Sequence, residues 1–346
     1  MIRTIGTEEV DKNLLEAEFY SNPFYFSYSS LNRLLLSPNI FYKEYVLKQK
    51  EPYNAKHLLE GTLIHFLILE HNNFDEKFIT LPESLPSDNT IKVLNTVYDK
   101  YLERVAKDPS NKNLVLDDFE DEVDEILKTI NKHQHVKDQT KRLAKIISNQ
   151  GRTYFEFLKV KDKKELIDSE TLDKCTRAAD IVKDDAVVRD LLGLDLTPDG
   201  ETIGIYNELA LQMKLDGFEF GVKGILDNLV INVNTKTIRI NDFKTSNKGI
   251  QNFKDSVDYW NYWLQAIIYV KLVTNFCKEF LDESWRIEFR FIVFDSYDHI
   301  YPFLVSDATM KEWESKYNDV MTAALYHYEN KEFNLPYEFA TGSVNL

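Results

Sequence analysis

Residues 206–245 read YNELALQMKLDGFEFGVKGILDNLVINVNTKTIRINDFKT, and this stretch decides the fold. Apolar residues alternate with polar ones over three runs, which is the pattern of strands that bury one face. Asp216-Gly217 and Asn234-Thr235-Lys236 separate the runs, and both are turn sequences of the kind that joins antiparallel strands. We therefore predict two consecutive hairpins, built from strands at about residues 206–215, 218–233 and 237–243.

Four ionisable side chains lie on these predicted strands. Glu208 lies on the first strand, Asp227 on the second, and Asp242 and Lys244 on the third. Because side chains at i and i+2 of a strand face the same side, Asp242 and Lys244 project into one space. Neighbouring carboxylates repel one another unless a cation neutralises them, and Mg²⁺ suits one or two carboxylates with open water positions. The pattern favours a Mg²⁺ site that hydrolyses phosphodiesters, with the lysine orienting the attacking water or offsetting negative charge.

A purely structural interpretation of the same residues stays open at this point. An Asp-x-Lys pair on an exposed strand is most often a cross-strand ion pair, which contributes less than about 1 kcal/mol to stability. The choice between the two interpretations therefore depends on what else the sequence places near Asp242 and Lys244.

The rest of the chain supplies helices and one further strand. Ser29 or Ser30 is expected to cap a short helix that ends before Pro38. Gly61 lies inside another predicted helix, where glycine costs about 1 kcal/mol relative to alanine, so we expect a close approach to that helix. Apolar periodicity predicts helices at about residues 57–71, 258–280 and 307–331, a buried strand at 286–294, and a charged, mostly helical segment at 88–183. The fold class is therefore α+β, with a mixed central sheet flanked by helices.

The composition limits location and partners. No run approaches about eighteen consecutive apolar residues, and the N-terminal MIRTIGTEEVDKN lacks the apolar run of a secretory signal, so we expect a cytoplasmic protein without a membrane segment. Cys175 and Cys277 are too few for an iron–sulfur cluster or an all-cysteine zinc site. With 42 basic and 57 acidic residues the net charge is −15, and an acidic surface repels a polyanion. On charge alone, nucleic acid is not the default partner.

Five blocks of the sequence, taken in order, resemble the motifs of the RecB-type PD-(D/E)XK nucleases. The blocks are Gly61-Thr-Leu-Ile-His65, Glu208, Gly224-Ile-Leu-Asp227, Asp242-Phe-Lys244-Thr245 and Tyr262-x-x-Gln265-x-x-x-Tyr269. Further similarity at Ser37-Pro38, Leu69-Glu70 and Phe74-Asp75-Glu-Lys-Phe78 is closest to the exodeoxyribonuclease VIII (RecE-like) branch, which is often phage-encoded. The resemblance covers about residues 27–80 and 165–270.

The resemblance implies a role for each matched residue. Asp227 and Asp242 would be the main metal ligands, with the backbone carbonyl of Phe243 as a third oxygen. His65 would lie at the metal or at its water, and Glu208 would support a second metal.

The remaining matched residues would act on the nucleophile and the DNA. Lys244 would act on the nucleophile. Gln265 and Tyr269 are four residues apart and share one helix face, so they would position Lys244 or, together with Tyr262, contact the DNA end. The neighbouring aromatic residues Tyr259, Trp260 and Trp263 either pack in the core or stack on unpaired bases.

For the whole chain the resemblance implies a PD-(D/E)XK core with a helical insertion. We expect one nuclease domain over residues 1–346, divided into a helical motif region at 20–80, the insertion at 88–183 and the sheet core with C-terminal helices at 204–346. Relatives that carry an iron–sulfur cluster have cysteines around the Ser-Pro block, where this chain has Ser37, so no cluster is expected. In many relatives a basic residue precedes the second-strand aspartate, where this chain has Leu226.

The implied activity is a Mg²⁺-dependent DNA exonuclease, with Mn²⁺ able to substitute. It would degrade linear double-stranded DNA in the 5′–3′ direction and leave single strands for recombination. The implied partners are double-stranded DNA ends, further copies of the chain in a homo-oligomer and a single-strand annealing protein. Two alternatives stay open: a structure-specific endonuclease of the same fold, and a non-catalytic binding or assembly protein on a nuclease scaffold. Cleavage of linear against circular DNA separates them.

Overall fold

A computed structural model describes residues 24–49, 56–70, 74–129, 138–161 and 163–344. The chain divides into two compact units, which we call the sheet unit (residues 1–70 with 175–346) and the helical unit (residues 71–174). The predicted helical segment 88–183 is thus shared between the two. Parts of the predicted regions, at residues 20–23, 50–55, 71–73, 130–137 and 162, lie outside the described residues.

The strands and helices are as follows. The strands are β1 (Tyr25–Phe26), β2 (Phe78–Thr80), β3 (Glu165–Ile167), β4 (Ile203–Lys214), β5 (Gly221–Asn232), β6 (Thr237–Ser246), β7 (Arg286–Asp295) and β8 (Ile300–Leu304). The helices are α1 (Tyr28–Leu36), α2 (Pro38–Phe41), α3 (Lys56–Leu69), α4 (Phe74–Lys77), α5 (Asp88–Lys107), α6 (Glu120–Thr129), α7 (Gln139–Ile146), α8 (Asn149–Lys161), α9 (Ser169–Asp184), α10 (Ala186–Leu192), α11 (Phe253–Trp260), α12 (Tyr262–Phe276), α13 (Asp307–Asn330) and α14 (Tyr337–Thr341).

The sheet unit is built on a mixed six-stranded sheet. β4 pairs antiparallel with β5 and β5 with β6, so both predicted hairpins are confirmed. β7 lies parallel to β6 and antiparallel to β8, and the short β1 lies parallel to the start of β5. The first hairpin turns at Gly217, whose φ of +82° lies in the left-handed region that glycine adopts without steric cost. The α+β class with a mixed central sheet is therefore confirmed.

The core of the sheet unit lies between the sheet and its helices. Leu229 of β5, Ile240 of β6 and Phe289 of β7 are opposite one another in register and are almost fully buried. α12 is apolar on nearly every side, as expected for a helix covered all round, and its Leu264 and Ile268 are inaccessible to solvent. In the parts of the chain that the structure describes, no helix combines the length and apolar character needed to cross a bilayer.

One predicted helix is wrong, because residues 258–280 do not form a continuous helix. α11 and α12 meet at Asn261, which has a φ of +56° in the left-handed region that asparagine tolerates better than most residues. Asn261 Nδ2 donates to Asn32 Oδ1 at 2.8 Å, and the carbonyl of Trp260 accepts from Asn32 Nδ2 at 3.2 Å and from the Tyr28 hydroxyl. Contacts with α1 therefore hold the break.

The predicted cap of α1 is also wrong by two or three residues. Ser27 is the N-cap: its Oγ accepts from the Ser30 N–H at 3.2 Å, and Ser30 Oγ accepts from the Ser27 N–H at 2.8 Å. This reciprocal arrangement is a capping box, in which Ser30 takes the third helical position instead of the cap.

The helical unit has a hydrophobic core of its own. Val93, Val97, Phe119 and Phe155 are completely buried within it, and the parallel pair β2 and β3 belongs to the same unit. Side chains from the acidic run at 117–125 form ion pairs inside this unit, among them Asp117 with Arg152, Glu122 with Arg104 and Asp124 with Lys128. Part of the negative charge of the chain is thus neutralised locally.

Candidate metal centre

The centre lies where β5 and β6 separate. The two strands pair from Asn228 opposite Asn241 to the end of the hairpin, and beyond that point β6 continues beside β7 while β5 continues beside β4. Asp227 and Asp242 are the first residues past the last pair. The Phe243 N–H donates to Asp227 Oδ2 at 2.7 Å, so a side chain accepts the bond that a paired strand would otherwise take. Both predicted carboxylates therefore lie in the opening between the strands.

Asp242 and Lys244 form a buried ion pair in this opening. Lys244 Nζ donates to Asp242 Oδ2, lies 3.4 Å from the Phe243 carbonyl oxygen and 4.8 Å from the centre of the Tyr262 ring. The side chain of Asp242 is 0% exposed and that of Lys244 is 14% exposed. Asp242 Oδ1 is buried without a hydrogen-bond partner among the described residues. As predicted, the side chains of Asp242 and Lys244 project into the same space.

Burial and charge set the protonation of this pair. Burial, opposed by the attraction of Lys244 and assisted by the repulsion of Asp227, raises the pKa of Asp242 to about 6. Burial acts to lower the pKa of Lys244, but Asp242 and Asp227 outweigh it, so the pKa of Lys244 lies above its ordinary value. Lys244 is therefore a cation at neutral pH and acts through its charge and its N–H groups.

His65 reaches the opening because of the spacing on α3. A Cβ added to Gly61 would lie 3.2 Å from Thr245 Oγ1, and the His65 ring contacts the Phe243 ring with centroids 5.6 Å apart. Four residues of helix advance about 6 Å, and two residues of strand advance about 6.6 Å. When Gly61 lies against Thr245, His65 therefore lies against Phe243. The close approach expected at Gly61 is confirmed, and it aligns α3 so that His65 Nδ1 lies 3.6 Å from Asp227 Oδ2.

Glu208 joins the group through an unusual backbone conformation. The β4–β5 register passes from Asn207 opposite Asn228 to Leu209 opposite Leu226, and Glu208 itself is left out of the ladder. Its φ is +50°, a left-handed conformation that costs a non-glycine residue roughly 1–2 kcal/mol. Non-glycine residues in this conformation persist where the surroundings hold them and are concentrated at functional sites.

These elements bring three donor groups together. One ligand atom each from His65, Glu208 and Asp227 lie within 4.8 Å of one another, and this is the group of the described residues that could hold a metal ion. A nitrogen and two carboxylate oxygens with room for water suit a divalent cation such as Mg²⁺ or Mn²⁺. Asp242, the other expected main ligand, is not in this group, and its Oδ2 is bound to Lys244.

Gln265 and Tyr269 hold α12 against β5. The Tyr269 hydroxyl donates to the Ile225 carbonyl at 2.5 Å and accepts from Gln265 Nε2 at 2.9 Å. The Tyr269 ring fills the space above Gly224, where an added Cβ would lie 2.7 Å from Tyr269 Cε1. Both side chains are buried, at 8% and 6% exposure. Tyr269 thus contacts the strand that carries Asp227, Gln265 contacts Tyr269, and Tyr262 contacts Lys244 directly.

Three asparagines on neighbouring strands form a hydrogen-bonded ladder beside the centre, and the sequence did not indicate it. Asn207, Asn228 and Asn241 are opposite one another on β4, β5 and β6, and each is next to one of the three acidic residues. Asn241 Nδ2 donates to Asn228 Oδ1, and Asn228 Nδ2 to Asn207 Oδ1, both at 2.8 Å. The ladder continues from Asn207 Nδ2 to the Leu69 carbonyl of α3 at 3.0 Å. It therefore ties the three strands to the helix that carries His65.

Loss of the middle asparagine should destabilise the protein. Asn228→Ala removes one of the two acceptors of Asn241 Nδ2 and the donor to both Asn207 Oδ1 and the Leu192 carbonyl, at a fully buried position. We expect a loss of about 3 kcal/mol in the free energy of unfolding, because each unsatisfied buried group costs roughly 1–3 kcal/mol. Urea unfolding measures it, with Asn318→Ala on an exposed position of α13 as the control. A loss below about 1 kcal/mol would mean that the ladder does not hold the strands.

Comparison with known proteins identifies the family to which the chain belongs. The family model of the PD-(D/E)XK nuclease superfamily matches residues 25–283, which is more than half of the chain and includes every side chain of the candidate centre. No curated protein matches the chain. Among solved structures, one from Eubacterium rectale described as “Putative exonuclease” matches with a TM-score of 0.48 and 13% sequence identity, covering 94% of this chain and 88% of that chain. A similarity at this level carries no argument about activity.

Proposed function

Because the chain belongs to the PD-(D/E)XK nuclease superfamily, we propose that it is a divalent-metal-dependent exonuclease of the RecE-like type. It acts at the ends of linear double-stranded DNA, degrades one strand in the 5′–3′ direction and leaves single strands for recombination. The observation that carries the proposal is the convergence of His65, Glu208 and Asp227 within 4.8 Å, beside the buried pair of Asp242 and Lys244.

The donor set fits a divalent cation, and the chain's own residues would prepare the reaction around it. His65, Glu208 and Asp227 would hold the ion, and Asp242 supplies a further buried oxygen, Oδ1, at the same opening. A bound divalent cation polarises a phosphate and lowers the pKa of its water. Lys244 is held by Asp242 and by the Tyr262 ring, so its positive charge is fixed where negative charge develops in the transition state.

The acidic character of the chain is consistent with metal-dependent DNA binding. At a net charge of −15, the chain repels the phosphate backbone except where the local field is reversed. A divalent cation and Lys244 supply that reversal at the opening. We propose in addition that the enzyme acts as a homo-oligomer in the cytoplasm, with a single-strand annealing protein receiving its product.

Incubation of the purified protein with end-labelled DNA tests the function. Linear duplexes labelled at either the 5′ or the 3′ end, and a closed circle of the same sequence, are incubated with Mg²⁺, with Mn²⁺ or with chelator. We expect mononucleotide release from the labelled 5′ end, an intact circle, and no reaction with chelator. Cleavage of the circle would indicate an endonuclease, and absence of cleavage with either metal would indicate a non-catalytic scaffold.

Divalent metal should stabilise the fold through Asp227. Burial raises the pKa values of both Asp227 and Asp242, with Lys244 opposing. In the metal-free chain the ionisation of both groups therefore costs stability, and for Asp242 this stability is lost as the pH rises through about 6. A bound cation reverses this and adds about 2.7 kcal/mol at a concentration of one hundred times its Kd. Thermal unfolding at pH 7.5 should show a higher Tm with Mg²⁺ or Mn²⁺ than with chelator.

Asp227→Asn is the variant that isolates this effect. The amide oxygen can still accept from the Phe243 N–H, so the fold is retained while the charge is removed. We expect the variant to be at least as stable as the parent in chelator and to show no increase in Tm with metal. An equal increase in both proteins would place the stabilising ion elsewhere.

A further inference from the structure

Two large aromatic side chains at the end of α11 are exposed to solvent. Tyr259 is 76% exposed and Trp260 is 51% exposed, and their rings are perpendicular with centroids 4.7 Å apart. Trp263, three residues further along the chain in α12, is only 8% exposed. Packing in the core therefore accounts for Trp263 and not for the adjacent pair. Single exposed apolar residues are ordinary on protein surfaces, but two adjoining rings form a patch that needs a reason.

The backbone that carries this pair is fixed to the candidate centre. The Trp260 carbonyl accepts from the Tyr28 hydroxyl and from Asn32 Nδ2 at 3.2 Å. The Tyr28 ring lies 6.2 Å from the Tyr262 ring, which in turn lies 4.8 Å from Lys244 Nζ. A short series of contacts thus connects the Trp260 backbone to Lys244. The aromatic pair is therefore carried by a segment that is anchored to residues beside the candidate centre.

We propose that Tyr259 and Trp260 form a stacking platform for unpaired nucleobases of the DNA strand bound at the metal centre. This inference rests on the proposed function. Every base has a π face, so stacking on aromatic rings does not depend on sequence. Bases inside a duplex already stack on their neighbours, so the platform takes only bases that have left the duplex. The substrate at this position is therefore a frayed end or a single strand.

The charges around the pair favour base contacts over phosphate contacts. The same short helix carries two acidic residues, Asp255 and Asp258, against one basic residue, Lys254, and the chain as a whole is acidic. Carboxylates repel the sugar-phosphate backbone, whereas a neutral base brings no charge to the platform. Affinity gained by stacking is independent of counterion release, so it should persist at salt concentrations that weaken phosphate contacts. This difference separates a stacking site from an electrostatic one.

Binding of two single-stranded oligonucleotides of equal charge tests the platform. One is oligothymidine and the other has abasic sites in place of the bases. Each is titrated in the presence of Mg²⁺ into Lys244→Ala protein, in which cleavage is slowed by about 10²-fold or more. We expect oligothymidine to bind at least about fivefold more tightly than the abasic strand, since stacking on one base corresponds to roughly that factor or more. Tyr259→Ala with Trp260→Ala in the same protein should abolish this preference and leave the salt dependence of binding unchanged.

Two further variants make the result specific. Trp260→Phe retains a stacking ring and should keep most of the preference, and Phe339→Ala removes a ring that is 60% exposed on α14 and should change nothing. An equal loss of affinity for both strands, or a change in salt dependence, overturns the platform. So does a shift in oligomeric mass of the double variant with the base preference intact, which would make the pair a contact between copies of the chain. If the parent cleaves linear DNA but shows no base preference, only the platform fails; if it neither binds nor cleaves DNA, the proposed function fails as well.

Discussion

Asp227→Asn should lower the rate of DNA cleavage by at least about 10³-fold, because it removes a ligand charge at the centre of the reaction. Asp227 is the residue that connects both halves of the site: its Oδ2 accepts from the Phe243 N–H of β6 and lies 3.6 Å from His65 Nδ1 of α3. The asparagine is the same size and keeps the backbone contact. Loss of activity would therefore reflect lost metal binding, measured as the rate of nucleotide release at a Mg²⁺ concentration that saturates the parent.

Asp216→Asn is the matched control for this variant. Asp216 is an exposed aspartate in the turn between β4 and β5, on the same hairpin but outside the donor group. Its replacement should leave the rate unchanged. Cleavage by purified, folded Asp227→Asn at the parent rate would show that the three-residue donor group is not the reaction centre.

Lys244→Met should lower kcat by about 10²-fold or more and leave metal binding and DNA affinity close to those of the parent. The positive charge of Lys244 is fixed by Asp242 and lies over the Tyr262 ring, so it is available to the transition state without rearrangement. Methionine has a side chain of similar length and removes only the charge, which lies 4.8 Å from the centre of the Tyr262 ring and 5.9 Å from that of Phe291. Single-turnover cleavage and metal-dependent Tm measure the two properties separately.

A rise in KM without a change in kcat would give Lys244 a different role. It would then anchor a phosphate in the ground state and the transition state equally. Lys271→Met is the control, because Lys271 is a half-buried lysine on α12 that pairs with Glu314 at 2.6 Å and contacts no acidic residue of the centre. Its replacement should alter neither kcat nor KM.

Local patterns in the sequence predicted the central strands well. The alternation of apolar residues and the Asp216-Gly217 turn depend on neighbours a few positions away, and β4, β5 and β6 begin and end close to the predicted limits. β1 is two residues long and β8 five, so neither shows a period that could be recognised. The break at Asn261 depends on Asn32, more than two hundred positions away, and nothing in the local sequence indicates it.

For the candidate site too, the features set by local spacing were predicted and those set by distant residues were not. The placement of Asp242 and Lys244 on one side of a strand follows from a two-residue spacing, and the close approach at Gly61 follows from a glycine in a helix. The separation of β5 from β6 could not be read from spacing, because it depends on which strands pair along the whole sheet. The same limit applies to the asparagine ladder, since three single asparagines on three strands form no local pattern.

At Glu208, stability and activity favour different residues, because the backbone is in the left-handed region. At a φ of +50° the position would accept glycine with less strain, and glycine would also remove a negative charge from a crowded group. A laboratory selection for heat resistance alone should therefore enrich glycine at position 208 and discard the glutamate that the reaction needs. If natural variants keep glutamate at this strained position, their sequences alone would indicate selection for catalysis.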